Sequence, residues 1–85
     1  MPYVTPNVRK LLDGGCAPAD VGQLTYVLYK ACLRYIDNPR GYRYQDLAEV
    51  LGSLEATQQE FYRRIVVPYE EQKIKDNGDI PLNTS

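Results

Sequence analysis

Apolar residues recur at three- and four-residue steps through two long stretches of the chain, and that spacing predicts helices. In the first stretch Val21, Leu24, Leu28, Ala31 and Tyr35 form one line, while Tyr26, Tyr29, Leu33 and Ile36 cover much of the remaining circumference. A helix apolar over so wide an arc is central to its fold or covered on two sides. In the second stretch Leu47, Val50, Leu51, Leu54, Gln58, Phe61 and Ile65 make a stripe that is expected to be buried.

Local signals set the boundaries. Met1 to Val4 is expected to be extended. Thr5 then caps a short helix with Pro6 in its first position, Val8, Leu11 and Leu12 supply its apolar side, and Gly14-Gly15 ends it. Asp20-Val-Gly-Gln23 has the form of a capping box. Asp37-Asn-Pro-Arg-Gly41 is a turn signal that runs into Tyr42-Arg43-Tyr44. Asp46-Leu-Ala-Glu49 resembles a second capping box and is expected to open the second long helix. Inside that helix stands Pro68, which removes a backbone hydrogen bond and sets its ring against the carbonyl of Arg64, so a bend is expected there. Asn77-Gly78 supplies the stop, with Gly78 suited to a left-handed cap. The tail from Asp79 to Ser85, with only Ile80 and Leu82 as aliphatic side chains, is expected to be mobile or docked on a partner chain.

The predicted architecture is all-α, a single helical domain. It comprises an N-terminal arm and short helix (1–19), a first long helix (20–37), a second long helix (46–77) bent at Pro68, and a tail (78–85). The two long helices are expected to pair as an antiparallel hairpin. An 85-residue chain has little interior. Two-sided cover for the first long helix is therefore expected from further copies of the chain, a dimer or higher assembly, with Leu24, Leu28, Tyr35, Leu54, Phe61 and Ile65 at the interface.

Charge and composition narrow the chemistry. Ten basic and eleven acidic residues leave a formal charge of -1, which argues against duplex nucleic acid as a main partner. The sequence carries neither an apolar run of membrane-spanning length nor a signal peptide, so no membrane partner and a cytoplasmic location are expected. In that compartment Cys16 and Cys32 are read as reduced, structural thiols. Histidine is absent, which excludes His-based triads, histidine general bases and His-ligated metals. Tyrosine occurs eight times against one phenylalanine and no tryptophan, a bias that suits half-buried interfaces and ligand walls.

The motifs Met1-Pro2-Tyr3, Gly22-Gln-Leu-Thr-Tyr26, Leu54-Glu55, Tyr62-Arg63-Arg64, Pro68-Tyr69-Glu70 and Asn77-Gly78-Asp79 together resemble a family of short phage and microbial proteins known as a domain of unknown function. The resemblance covers nearly the whole chain except residues 9 to 20 and implies no catalytic residues. Small phage proteins of this size often inhibit host defence or modify host enzymes, so the resemblance implies a phage-type accessory protein acting in the host cytoplasm.

Three constellations are candidates for function. Tyr62, Val66, Tyr69 and Lys73 share one helical face, flanked by Arg63 and Arg64; arginine forks match phosphate oxygens and tyrosine rings stack on bases. Arg40, Arg43 and Tyr44 of a second copy are expected to approach Arg63 and Arg64, forming a pocket for a small nucleotide signal. The bland alternative is a solvated face with intrahelical ion pairs. Asp46-x-x-Glu49 and Asp76-x-x-Asp79 mimic the magnesium-binding carboxylate pairs of helical pyrophosphatases, but the first doubles as a capping box and the second straddles a helix stop. Glu55 and Glu60 could meet their symmetry mates across an interface. The reading that follows is a non-enzymatic protein without cofactor or metal, sequestering a nucleotide signal through Tyr62, Arg63, Arg64, Tyr69, Lys73, Arg43 and Tyr44. The alternatives are a protein-binding inhibitor of a host enzyme or structural accessory and, third, a metal-dependent pyrophosphatase.

Overall fold

The computed structural model describes residues 4–81, and every regular element among them is helical. The expected extended start at 1–3 and Leu82 of the tail lie outside the described residues. The chain divides into two compact units, Met1–Val50 and Leu51–Ser85.

In the first unit, helix α1 spans Pro6–Asp13, with Thr5 extended at its N-cap and the Thr5 hydroxyl accepting from the Val8 N–H at 3.4 Å. Gly14 and Gly15 close it as expected, and Gly15 takes φ 106°, a conformation that a Cβ disfavours. Helix α2 spans Val21–Ile36. Its capping box is present with one change: Asp20 accepts from the Gln23 N–H at 2.8 Å, but Gln23 reaches back to the N–H of Ala19 rather than to that of Asp20.

Two residues in the described chain are buried apolar side chains, Leu12 on α1 and Tyr26 on α2, each 7% exposed. They join the two helices. The Tyr26 hydroxyl donates to Asp13 at 2.9 Å, and the same carboxylate meets Lys30 at 3.8 Å and Arg34 at 3.9 Å. Lys30 also sits 5.9 Å from the centre of the Tyr26 ring. Tyr26, Lys30 and Arg34 are spaced four residues apart, so one face of α2 converges on the end of α1. A basic face here also meets the carbonyl end of α1 favourably.

Helix α3 spans Tyr44–Phe61 and begins two residues before the expected start. The reason is a reversal of roles: Asp46 does not cap the helix but lies inside its first turn and accepts from the Arg43 N–H at 2.9 Å. Glu49 consequently takes no part in a capping box. It accepts from the Tyr35 hydroxyl at 2.7 Å and from the Gln45 amide at 3.3 Å.

In the second unit the helix continues through a π-helical turn, Tyr62–Val66, into helix α4, Val67–Asn77. The interruption expected at Pro68 takes this form. Pro68 has no N–H to give Arg64, and the Val67 N–H instead reaches the Tyr62 carbonyl, five residues back. Widening the turn moves the Arg64 carbonyl away from the proline ring. Helix α4 stops at Gly78, whose N–H bonds Ile74 at 2.8 Å and whose φ 82°, ψ 152° is open to glycine but is not the left-handed helical cap expected.

The stripe expected to be buried is exposed. Leu51 is 68% exposed, Phe61 60% and Ile65 56%; Leu47 and Leu54 also lie on the surface, and of the set only Val50 is half-buried. Leu24, Leu28 and Tyr35 of α2, expected at an interface between copies, are exposed in the single chain. The periodicity fixed the helices correctly, but burial also needs a neighbouring layer.

Because the Tyr26–Asp13 hydrogen bond is part-buried and charge-assisted, Tyr26→Phe is expected to lower stability by about 1.5–3 kcal/mol. Leu12→Ala is expected to cost about 2–3 kcal/mol, at the lower end for a buried leucine in so thin a core. Thermal unfolding followed by circular dichroism measures both.

Candidate functional site

The sequence-predicted site falls on the π turn and α4. Tyr62, Arg63 and Arg64 occupy the first three positions of the widened turn, while Tyr69 and Lys73 lie one and two turns further on. All three groups are at the surface, with Tyr62 and Tyr69 each more than half exposed. The Lys73 ammonium stands 5.5 Å from the centre of the Tyr69 ring, one helical turn away.

The arginines are not free forks. Both turn toward Glu60: Arg63 Nη2 donates to one carboxylate oxygen, and Arg64 Nε lies against the other as an ion-pair contact without hydrogen-bond alignment. Intrahelical pairs of this exposed kind contribute about 0–1 kcal/mol each. Glu60, weighed in the sequence only as a partner for symmetry mates, is the residue that sets the resting position of both guanidinium groups.

Tyr62 and Arg64 line different hollows, and Arg63 lines neither of the two. One open depression of about 530 Å³ is bounded by Glu55, Gln58, Gln59, Phe61, Tyr62 and Val66. A second, also about 530 Å³, holds Ala56, Thr57, Glu60, Phe61, Arg64 and Ile65 along its walls. Phe61 is common to both and stands as a ridge between them. Glu55 thus borders the same depression as Tyr62, and Glu60 borders the other. Neither depression reaches Tyr69 or Lys73.

Arg43 and Tyr44 belong to the first unit, where they open α3; Tyr44 is 85% exposed and Arg43 is held through its backbone N–H by Asp46. A third depression, about 470 Å³, lies in that unit between the end of α2 and the following turn, with Lys30, Leu33, Arg34, Asn38 and Tyr42 on its walls. Sequence reading did not single out this hollow or the Asp13 carboxylate beside its basic residues. The i, i+4, i+8 spacing of Tyr26, Lys30 and Arg34 is the signal that points to it.

The carboxylate pairs weighed for magnesium are engaged locally. Asp46 caps the Arg43 N–H, Glu49 holds Tyr35, Asp76 accepts from the Gln72 amide at 3.1 Å, and Asp79 accepts from the Ile80 N–H at 2.7 Å. Among the described residues no group of three or more acidic or cysteine side chains is arranged to hold a metal ion. Cys16 and Cys32 are both free thiols. Among the same residues no helix is long and apolar enough to cross a membrane.

Tyr35 is perturbed by its acidic neighbours. Its hydroxyl donates to Glu49, and this bond, with the negative charges of Glu49 and Asp46 and a little desolvation, holds its pKa above the ordinary tyrosine value of 10.0.

These features define a chain whose described regular elements are all helical and whose aromatic, basic and carboxylate side chains, the buried Tyr26 apart, lie mostly at the surface. A family model described as a domain of unknown function (DUF6899) matches residues 1–80, and the chain belongs to that family. No curated protein and no solved structure matches the chain.

The sign of the Tyr35 shift sets a pH dependence. The neutral phenol is favoured in the folded state, so the contribution is complete below pH about 10 and is lost as pH rises through the raised folded pKa. Ultraviolet titration of the tyrosines should show one late-ionising group that disappears in Tyr35→Phe and moves back toward 10.0 in Glu49→Gln.

Proposed function

We propose that the protein is a non-enzymatic, phage-type accessory protein that assembles with copies of itself and counters host defence by sequestering a small nucleotide signal. The single observation carrying this reading is the exposure of apolar and aromatic side chains along two helices beside a basic turn. Leu24, Leu28 and Tyr35 on α2, Leu54 and Phe61 on α3, and Ile65 in the π turn are the surfaces by which copies meet. In that assembly the long helices pair as an antiparallel hairpin, and Arg43 and Tyr44 of one copy come to the Arg63–Arg64 region of another.

The ligand chemistry follows from the residues. Tyr62 and Tyr69 offer ring faces for a base, and Arg63, Arg64 and Lys73 offer charge to phosphate. Pairing to Glu60 keeps the guanidinium groups positioned when the site is empty, at an energy that a phosphate exceeds. Capture needs no nucleophile or metal. The protein acts in the cytoplasm of the host cell.

The second reading is a protein-binding inhibitor or structural accessory. It is favoured by one observation, the exposure of Tyr42 and Tyr44 beside Arg40 and Arg43, since tyrosine and arginine dominate protein contact patches.

Static light scattering at low micromolar concentration is expected to give a multiple of 9.7 kDa. In a thermal-shift panel of cyclic and ADP-ribose-derived nucleotides, a bound member at a hundred times its Kd stabilises by about 2.7 kcal/mol, a rise of several degrees. Arg64→Ala should abolish that rise while leaving the unliganded melting temperature within a degree or two. A flat panel with retention of a host protein on immobilised chain selects the second reading.

A further inference from the structure

Resting on the reading that copies of this chain associate, we infer that a second copy docks antiparallel along the segment from Leu51 to Pro68 and completes the depression beside Tyr62. The argument begins with spacing. Leu51, Leu54, Gln58, Phe61 and Ile65 follow one another at steps of three, four, three and four, the repeat of a two-helix seam. The π turn preserves it, because i→i+5 bonding keeps residues four and five apart nearly in line. All five side chains are on the surface. A seam with this repeat is matched by a helix with the same repeat, and this chain supplies one. Two such faces, with Tyr62 at their edge, bury on the order of 1,000 Å², the area at which an interface becomes specific.

Charge narrows the register of an antiparallel pair. Glu55 and Tyr62 flank the seam on one side, Thr57 and Arg64 on the other. An antiparallel pair centred between Gln59 and Glu60 sets Leu54 against Ile65 of the second copy and Gln58 against its Phe61. The same register brings Glu55 to Tyr62 of the second copy, where the phenol donates to the carboxylate, and Thr57 to Arg64. Sliding the pair until it centres on Ala56 places Glu55 against Glu55, a like-charge contact that is destabilising.

The consequence for the site is direct. The hollow bounded by Glu55, Gln58, Gln59 and Tyr62 lies on the flank where the two copies meet. Each copy holds half of it, and the facing half brings a second tyrosine ring and a second carboxylate. The completed groove suits a ligand with a flat ring between two tyrosines and hydroxyl or amino groups donated to the glutamates, the base and ribose of a nucleotide.

Disulfide trapping tests the arrangement in full-length chains with Cys16→Ser and Cys32→Ser. Under mild oxidation, Leu54→Cys and Ile65→Cys chains mixed together are expected to give mostly covalent dimer, and each alone little. Glu55→Cys mixed with Tyr62→Cys should behave the same way and probes exposed positions whose replacement spares the helix. Abundant covalent dimer from the single variants alone indicates parallel pairing and overturns the inference. An assembled parent in light scattering without mixed cross-links overturns this interface while leaving self-association intact. A parent of 9.7 kDa that never cross-links overturns both.

Discussion

The structure turns on how much apolar surface its helices carry relative to what the chain itself shelters. Each leucine, isoleucine or phenylalanine left in water forgoes about 1.5–3 kcal/mol, and this chain leaves many of them there. Among the described residues the buried side chains are Leu12 and Tyr26 between α1 and α2, with Asp13 satisfying the phenol and drawing in Lys30 and Arg34. Helices of this length are marginal in isolation and gain most of their stability from packing. Exposed faces of this kind are the ones that association with a partner would cover.

Pro68 links backbone chemistry to the site. A regular α-helix through this position sets the proline ring against the carbonyl of Arg64. The chain avoids the clash by widening one turn, and the residues in that turn are Tyr62, Arg63 and Arg64. The same covalent restriction that removes the Pro68 N–H thus falls where aromatic and basic side chains follow one another in the chain. Glu60, one turn earlier, anchors both guanidinium groups. The pairing is exposed and weak, so it orders the side chains without locking them.

Much of the fold was legible because its signals are local. Thr5-Pro6, Asp20 to Gln23, and Asn77-Gly78 each mark a helix end through groups within four residues of one another, and the structure places helix ends there. Asp46 misled because an acidic residue serves either as a cap or as the third residue reaching back to one, and the choice depends on the conformation of Arg43. The candidate site was legible as a set of residues but not as an arrangement. Nothing in the order Tyr62-Arg63-Arg64 says that Glu60 holds both arginines or that Phe61 divides the surface into two hollows.

Sequence by itself determined that the chain is helical, where its helices stop, that histidine chemistry is absent, and which faces are apolar. Those properties depend on residue type and on spacing of a few positions. Tertiary structure decided which apolar residues are buried, that Asp13 closes on Tyr26, that Glu49 raises the Tyr35 pKa, and that the proline is absorbed in a π turn. Those outcomes depend on distances between side chains and on alternative backbone hydrogen bonds of similar energy, which periodicity alone does not rank.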